Sequence, residues 1–237
     1  MDGRFSHGWN VGATEARRIQ REVRERLVAE PGVGSDRIRS VAGIDNAYHL
    51  KGDPPMAFAA VVVLSFPSLE TLEVVYGNSP VTFPYIPGLL TFREGPAILD
   101  AMARVTAQPD VLLFDGQGIA HPRRVGIAAH MGVVLGRPSI GVAKSRLTGS
   151  YEEPPDRTGA WTPLVDRGEV VGAVLRTRTG HAPLFISPGT MMDVETAVEI
   201  VIACHRDNHF LPEPTRLGHD LVTAYRKQQQ EVARPQP

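Results

Sequence analysis

Apolar positions first recur with a helical period. Ile19, Val23 and Leu27 stand four apart among Arg and Glu residues, which predicts an amphipathic helix over Thr14–Ala29 with Thr14 as its N-cap. The period then changes. Ile38–Tyr48, Ala57–Ser65 and Leu72–Tyr76 read as strands, parted by the Gly-Asp-Pro-Pro turn at 52–55 and a short loop around Pro67. Strands joined so closely predict an antiparallel meander. Further on, helix and strand patterns alternate: Gly95–Ala107 as helix, Val111–Phe114 as strand, Pro122–Leu135 as helix and Ser139–Val142 as strand. That alternation implies parallel pairing through crossover connections. Tyr151–Pro163, rich in Pro, Glu and Asp, reads as a surface loop. Strands at Val170–Leu175 and Leu184–Ile186 follow, then a helix at Val194–His205 and a last helix over 215–227 beyond Pro212-Glu213-Pro214. Residues 1–13 lack periodicity and 228–237 are polar, so both ends are expected to be disordered. The pattern predicts an α/β fold in one domain over 1–237: a mixed central sheet, with a three-strand antiparallel meander plus parallel strands, flanked by helices.

Composition narrows the class of molecule. The 237 residues are 42% hydrophobic and 22% charged, ordinary for a globular chain and enough for one large domain. A formal net charge of −1 advertises no global attraction to nucleic acid, though one groove needs only a local positive stripe. Cys204 is the sole cysteine, which excludes an internal disulfide and a cysteine-based metal site and suggests a reduced, cytoplasmic protein. Residues 1–10 contain no apolar signal segment, and the longest apolar run, Ala57–Leu64, is too short to span a bilayer. A soluble protein without a membrane partner is therefore expected. No symmetric apolar stripe is visible, which favours a monomer.

The chemistry-bearing residues collect at predicted strand ends. Asp45 follows the apolar run Val41-Ala42-Gly43-Ile44, and Asp115 ends Val111–Phe114 and precedes Gly116. Carboxylates there project from the sheet edge, where ligands of open α/β sheets collect. If the first and fourth strands are neighbours, the two acids converge, and a hard divalent cation would relieve their repulsion. Asp before Gly is also a common turn former. Glu94 is a third acid, at the start of the first crossover helix. It stands at capping-box spacing from Thr91, but Pro96 would then fall inside the helix. A later start, with Pro96 in the first turn, leaves Glu94 free to join the other two. His121-Pro122-Arg123-Arg124, with Pro122 at a first helical position, offers a phosphate site at a helix N-terminus, or simply a solvated one. Lys144 and Arg146 are expected on the same edge as the acids. Phe83-Pro84-Tyr85-Ile86-Pro87-Gly88 forms a stiff loop with an aromatic at its tip, able to wedge into a base stack or to pack on the core.

These strings resemble a known family. Val41-Ala42-Gly43-Ile44-Asp45, Pro84–Gly88, Phe92-Arg93-Glu94, Phe114-Asp115-Gly116-Gln117-Gly118, His121–Arg124, Gly141-Val142-Ala143-Lys144 and Leu211-Pro212-Glu213-Pro214-Thr215-Arg216 are similar, in order, to the motifs of endonuclease V. The resemblance spans about 15–222. It implies a ribonuclease H-like fold and Mg²⁺-dependent nicking of DNA at deoxyinosine, with Mn²⁺ able to substitute. The cut falls at the second phosphodiester bond 3′ to the lesion and leaves 3′-hydroxyl and 5′-phosphate. By residue match, Asp45 and Asp115 resemble the metal ligands, with Glu94 acting directly or through water. Lys144, His219 and His121 resemble the remaining catalytic-site residues. Pro84, Tyr85, Ile86 and Pro87 look like the lesion wedge, Gly88, Leu90, Gly116 and Gly118 like the base pocket, and Arg123 and Arg124 like phosphate contacts. Thr190 departs from the family, where His is frequent. An endonuclease acting on inosine in RNA and a noncatalytic lesion-binding module are the alternatives.

Overall fold

The computed structural model describes residues 5–32, 34–206 and 209–232. One eight-stranded sheet runs in the order β3-β2-β1-β4-β5-β8-β7-β6. Its strands are β1 (Ser40–His49), β2 (Met56–Ser65), β3 (Thr71–Pro80), β4 (Val111–Asp115), β5 (Ser139–Ala143), β6 (Trp161–Asp166), β7 (Glu169–Leu175) and β8 (Leu184–Pro188). The expected meander is present: β1 pairs antiparallel with β2, and β2 with β3. The crossovers make β1–β4 and β4–β5 parallel, and the remaining pairs are antiparallel.

Helices cover both faces. β2 is buried along nearly its whole length, as its continuous apolar run requires. Val62 and Leu64 face a layer built with α4 (Val194–Ala203), while Val61 and Val63 face α2 (Thr91–Met102) and α3 (Ile127–Leu135). Each such Val or Leu contributes about 1.5–3 kcal/mol on burial. The amphipathic α1 (Ala13–Arg24) lays Ile19 and Val23 on Phe83, Leu89 and Phe92. The last helix, α5 (Glu213–Val232), packs against β1 and β2.

Several boundaries differ from the sequence reading. Gly12, not Thr14, occupies the N-cap of α1 and makes no side-chain cap. α2 begins at Thr91, so Pro96 lies inside it, and no side chain caps its start. Turns closed by Leu89 N–H on the Ile86 carbonyl and Phe92 N–H on the Leu89 carbonyl lead into this helix, so its wind is set before residue 95. α3 starts at Ile127 after Gly126, which leaves His121–Arg124 in an irregular turn. β6 opens at Trp161, inside the stretch assigned to a loop. It is the outer strand of the sheet, where Pro163 is tolerated and polarity hides the pattern. Residues 228–232, expected to be disordered, continue α5, whereas 1–4 and 233–237 lie outside the described residues. Thr190 is buried and its hydroxyl accepts the Val28 N–H at 3.1 Å, so its polar group ties the end of the α1 segment to β8.

Residues 5–13 are not the loose end expected of them. His7 and Trp9 pack on Phe92 and His130, and Trp9 sits where a Cβ on Gly95 would have to go. The His7 Nδ1–H donates to the Gly8 carbonyl at 2.8 Å, which makes its Nε2 the acceptor of the His130 Nε2–H at 2.7 Å. His130 is fully buried, its Nδ1 has no partner among the described residues, and burial pushes its pKa down to about 3. Unfolded, the same imidazole titrates near 6.5. Below that pH the unfolded chain binds the extra proton, so stability is lost as pH falls from about 6.5 towards 3, at up to about 1.4 kcal/mol per pH unit. Melting curves between pH 7 and 4 should therefore fall less steeply for His130→Gln than for the native chain. Parallel curves would show that this histidine does not set the acid limit.

Candidate active site

Period-two alternation along β1 sends its polar residues to opposite faces of the sheet. Gly43, Asp45, Ala47 and His49 face α5, and Asn46 and Tyr48 face α2. The pairing of β1 with β4 ends at Ile44–Phe114, so Asp45 and the terminal Asp115 emerge together at the open edge. Gly43 lets α5 approach, since a Cβ there would stand 1.8 Å from the Pro214 carbonyl oxygen. That contact brings His219 beside Asp45, its Nδ1–H donating to Oδ2 at 2.8 Å. From β5, Lys144 Nζ reaches Asp115 Oδ2 at 2.5 Å.

One ligand atom each from Asp45, Asp115 and His219 lies within 4.8 Å of the others. Two carboxylate oxygens and an imidazole nitrogen are a donor set suited to a divalent cation. The electrostatics point the same way. Burial, and then the charge of Asp115, raise the Asp45 carboxyl, while hydrogen bonds from His219 and the Asn46 N–H hold it down. A cation would remove the repulsion that raises it.

Glu94 stands outside this group, where the sequence suggested a third ligand. It approaches from the α2 face and is only 8% exposed. The Tyr48 hydroxyl donates to Glu94 Oε1 at 2.8 Å, and the Asn46 amide donates to the Glu94 carbonyl at 3.5 Å. Burial chiefly, with Asp45 and Asp115 adding, pushes its carboxyl up to about 8. It shares the electrostatic field of the two aspartates from behind β1.

Beside the acids opens a cavity of about 460 Å³. Tyr85, Ile86, Pro87, Gly88 and Leu90 form one wall, Gly116 and Gln117 lie beside Asp115, and Lys144–Leu147 form the other wall. Tyr85 is 72% exposed at the loop tip. Gly88 adopts a positive φ of 78°, and its carbonyl accepts from Gln20 Nε2, an Arg123 guanidinium N–H and His121 Nε2–H. Three donors on one carbonyl make this wall rigid.

Other expected residues are placed differently. Gly118 does not line the cavity: a Cβ there would meet the Pro188 carbonyl oxygen at 1.9 Å, so it is a contact point between the loop after β4 and the end of β8. His121 touches the cavity but is not in the metal group. Its Nε2–H serves Gly88, its Nδ1 accepts the Arg123 N–H, and burial pushes its pKa down to about 4. Arg124 is 7% exposed and paired with Asp166 at 2.6 Å and Glu169 at 3.0 Å, and Arg123 is engaged by Gln20 and Gly88. Neither arginine stands at a helix N-terminus, because the turn containing Arg124 (φ 62°) precedes α3. Sequence reading missed Tyr48, Gln117 and Leu147. Only the exposure of Leu147 next to Lys144 marks it, and exposure needs the fold.

Known proteins resemble this chain over nearly its whole length. A family model described as Endonuclease V matches residues 21–220. A protein of Roseiflexus sp. (strain RS-1) named Endonuclease V is 50% identical over 94% of this chain and 97% of its own length. The crystal structure of an endonuclease V from Bacillus subtilis matches with a TM-score of 0.90 at 31% identity, covering 95% of this chain and 97% of that one. A substituted Ciona intestinalis endonuclease V, solved with a 23mer DNA containing an inosine followed by a ribo-adenosine, matches with a TM-score of 0.81 at 25% identity, covering 91% and 97%.

Proposed function

The chain belongs to the endonuclease V family of metal-dependent nucleases, which act on phosphodiester bonds, and from that premise we propose that it nicks DNA at deoxyinosine during repair. The bond hydrolysed is the second one 3′ to the lesion, leaving 3′-hydroxyl and 5′-phosphate. The observation that carries this reading is the convergence of Asp45, Asp115 and His219 within 4.8 Å beside a cavity large enough for a base.

Asp45 and Asp115 would hold Mg²⁺ through their carboxylate oxygens, with His219 beside it and its waters, and Mn²⁺ can replace it because both accept oxygen donors. The bound cation supplies charge stabilisation for the phosphate oxygens and acidifies water. The protein's own groups supply the rest. His219, oriented by its Nδ1–H on Asp45, and Glu94, held by Tyr48, are the two groups able to orient the attacking water or take its proton. Lys144 is half-exposed beside Asp115, so its ammonium can meet a phosphate as a point charge. Pro84–Pro87 with Tyr85 at the tip would part the strands at the lesion. Gly88, Leu90 and Gly116 would then border the expelled base, where the two glycines bring backbone close.

We read the molecule as a single catalytic domain, a monomer of the cytoplasm. No helix among the described residues is long and apolar enough to cross a membrane. The ribonucleotide after inosine in the Ciona complex favours a second reading, in which inosine in RNA is also cut. Labelled duplexes carrying one inosine, in matched DNA and RNA strands, decide both points. Nicking of the DNA strand in Mg²⁺, abolished by EDTA, is expected. Lesion binding without any nicking would make the protein a binding module instead, and preferential cutting of the RNA strand would make it a ribonuclease.

A further inference from the structure

We propose that Tyr48 is a positioning residue for this reaction, fixing Glu94 by one oxygen so that the other is the one turned to the Asp45–Asp115–His219 group. The proposal rests on the nuclease reading of that group. Tyr48 lies three residues beyond Asp45 on β1 and faces α2, so a single strand carries a metal-site acid on one face and the support of a second acid on the other. The Tyr48 O–H to Glu94 Oε1 contact, at 2.8 Å, is the one side-chain hydrogen bond to that carboxyl among the described residues.

The kind of donor matters. A carboxylate so deeply buried needs a partner, yet an Arg or Lys would neutralise it and compete with a cation for it. A phenol satisfies one oxygen without bringing a competing cation. The ring is itself held: the Arg93 guanidinium lies over it, 4.9 Å from its centroid. Arg93 thus stands next to Glu94 in sequence but is directed to the phenol, and Asn46 secures the Glu94 backbone from the same strand. The Phe92-Arg93-Glu94 string and the end of β1 together form one support.

Tyr48→Phe keeps the ring and removes the donor. Loss of an outer partner of this kind lowers metal affinity or rate about 10–100-fold. We expect Mn²⁺ binding, read by calorimetry without substrate, to weaken about tenfold, and kcat to fall within that range. KM for the inosine duplex, and lesion binding supported by Ca²⁺, should not change. In a Glu94→Gln background the same substitution should add less than about a further twofold, because Tyr48 acts through Glu94. Mn²⁺ affinity and kcat both within twofold of the native protein, or losses that multiply in the double variant, would overturn the proposal. If the native protein fails to nick, the nuclease reading falls, but the Mn²⁺ titration still decides whether Tyr48 supports the metal group.

Discussion

Asp45→Ala and Asp115→Ala are each expected to lose strand cutting by about a thousandfold or more, on the scale of several kcal/mol for a lost electrostatic contact in a transition state, while lesion binding persists. Either change removes a charge from the ligand group, and each also releases a partner: His219 in the first case, Lys144 in the second. Binding should survive because the wedge and one wall of the cavity belong to the loop 84–90, which is anchored through Gly88 and not through the acids. Stability should not suffer either. The native Asp45 carboxyl is raised by burial and by Asp115, so its charge is held at a cost that alanine relieves. The expected outcome is that both variants shift an inosine duplex in a gel with Ca²⁺ and do not nick in Mg²⁺, and that Asp45→Ala melts at or above the native temperature. Retained Mg²⁺-dependent nicking in both variants would remove these two residues from the chemistry.

The largest structural effect is expected at Gly43. An added methyl would lie 1.8 Å from the Pro214 oxygen, 2.2 Å from its carbonyl carbon and 2.8 Å from its Cα, all of them backbone atoms that no rotamer can clear. α5 would have to lift from β1, at about 3 kcal/mol or more, the upper end of overpacking penalties. That corresponds to a melting point lower by about 6–12 °C for a chain of this size. Because α5 carries His219, the lift also parts the imidazole from Asp45, so Gly43→Ala should lose activity in the fraction that remains folded. Gly12→Ala is the control: nothing lies within 4 Å of its new carbon, so it should lose only the N-cap preference for glycine over alanine, about 1 kcal/mol or less. A Gly43→Ala protein melting within about 2 °C of native would mean that the helix and strand are not in backbone contact, on the same scale.

What could be read in advance divides along physical lines. The meander, the crossovers and the convergence of Asp45 with Asp115 follow from local period and from strand ends, and both were legible. The edge strand β6 was not, because an outer strand needs no continuous apolar pattern and Pro163 imitates a loop. The start of α2 was misplaced because Pro96 argues against a helix that the preceding turns have already wound. Within the site, the sequence showed which residue types were present but not which partners they have. Nothing local reveals that Arg124 is taken up by Asp166 and Glu169, 42 and 45 residues away. Likewise the approach of Glu94 from the opposite face of the sheet depends on the strand's alternation combined with the helix's docking, and only the assembled fold fixes both.

The helix that brings His219 to Asp45 is the last element among the described residues, and the strand it packs on is the first strand of the sheet in chain order. During translation the two aspartates are made long before their imidazole partner, and the groove in β1 above Gly43 stays open until the end. A nascent chain arrested between Asp115 and residue 213 would carry both aspartates but lack His219. Assembly of the Asp45–Asp115–His219 group is thereby tied to synthesis of α5, and a product cut short before that helix lacks it.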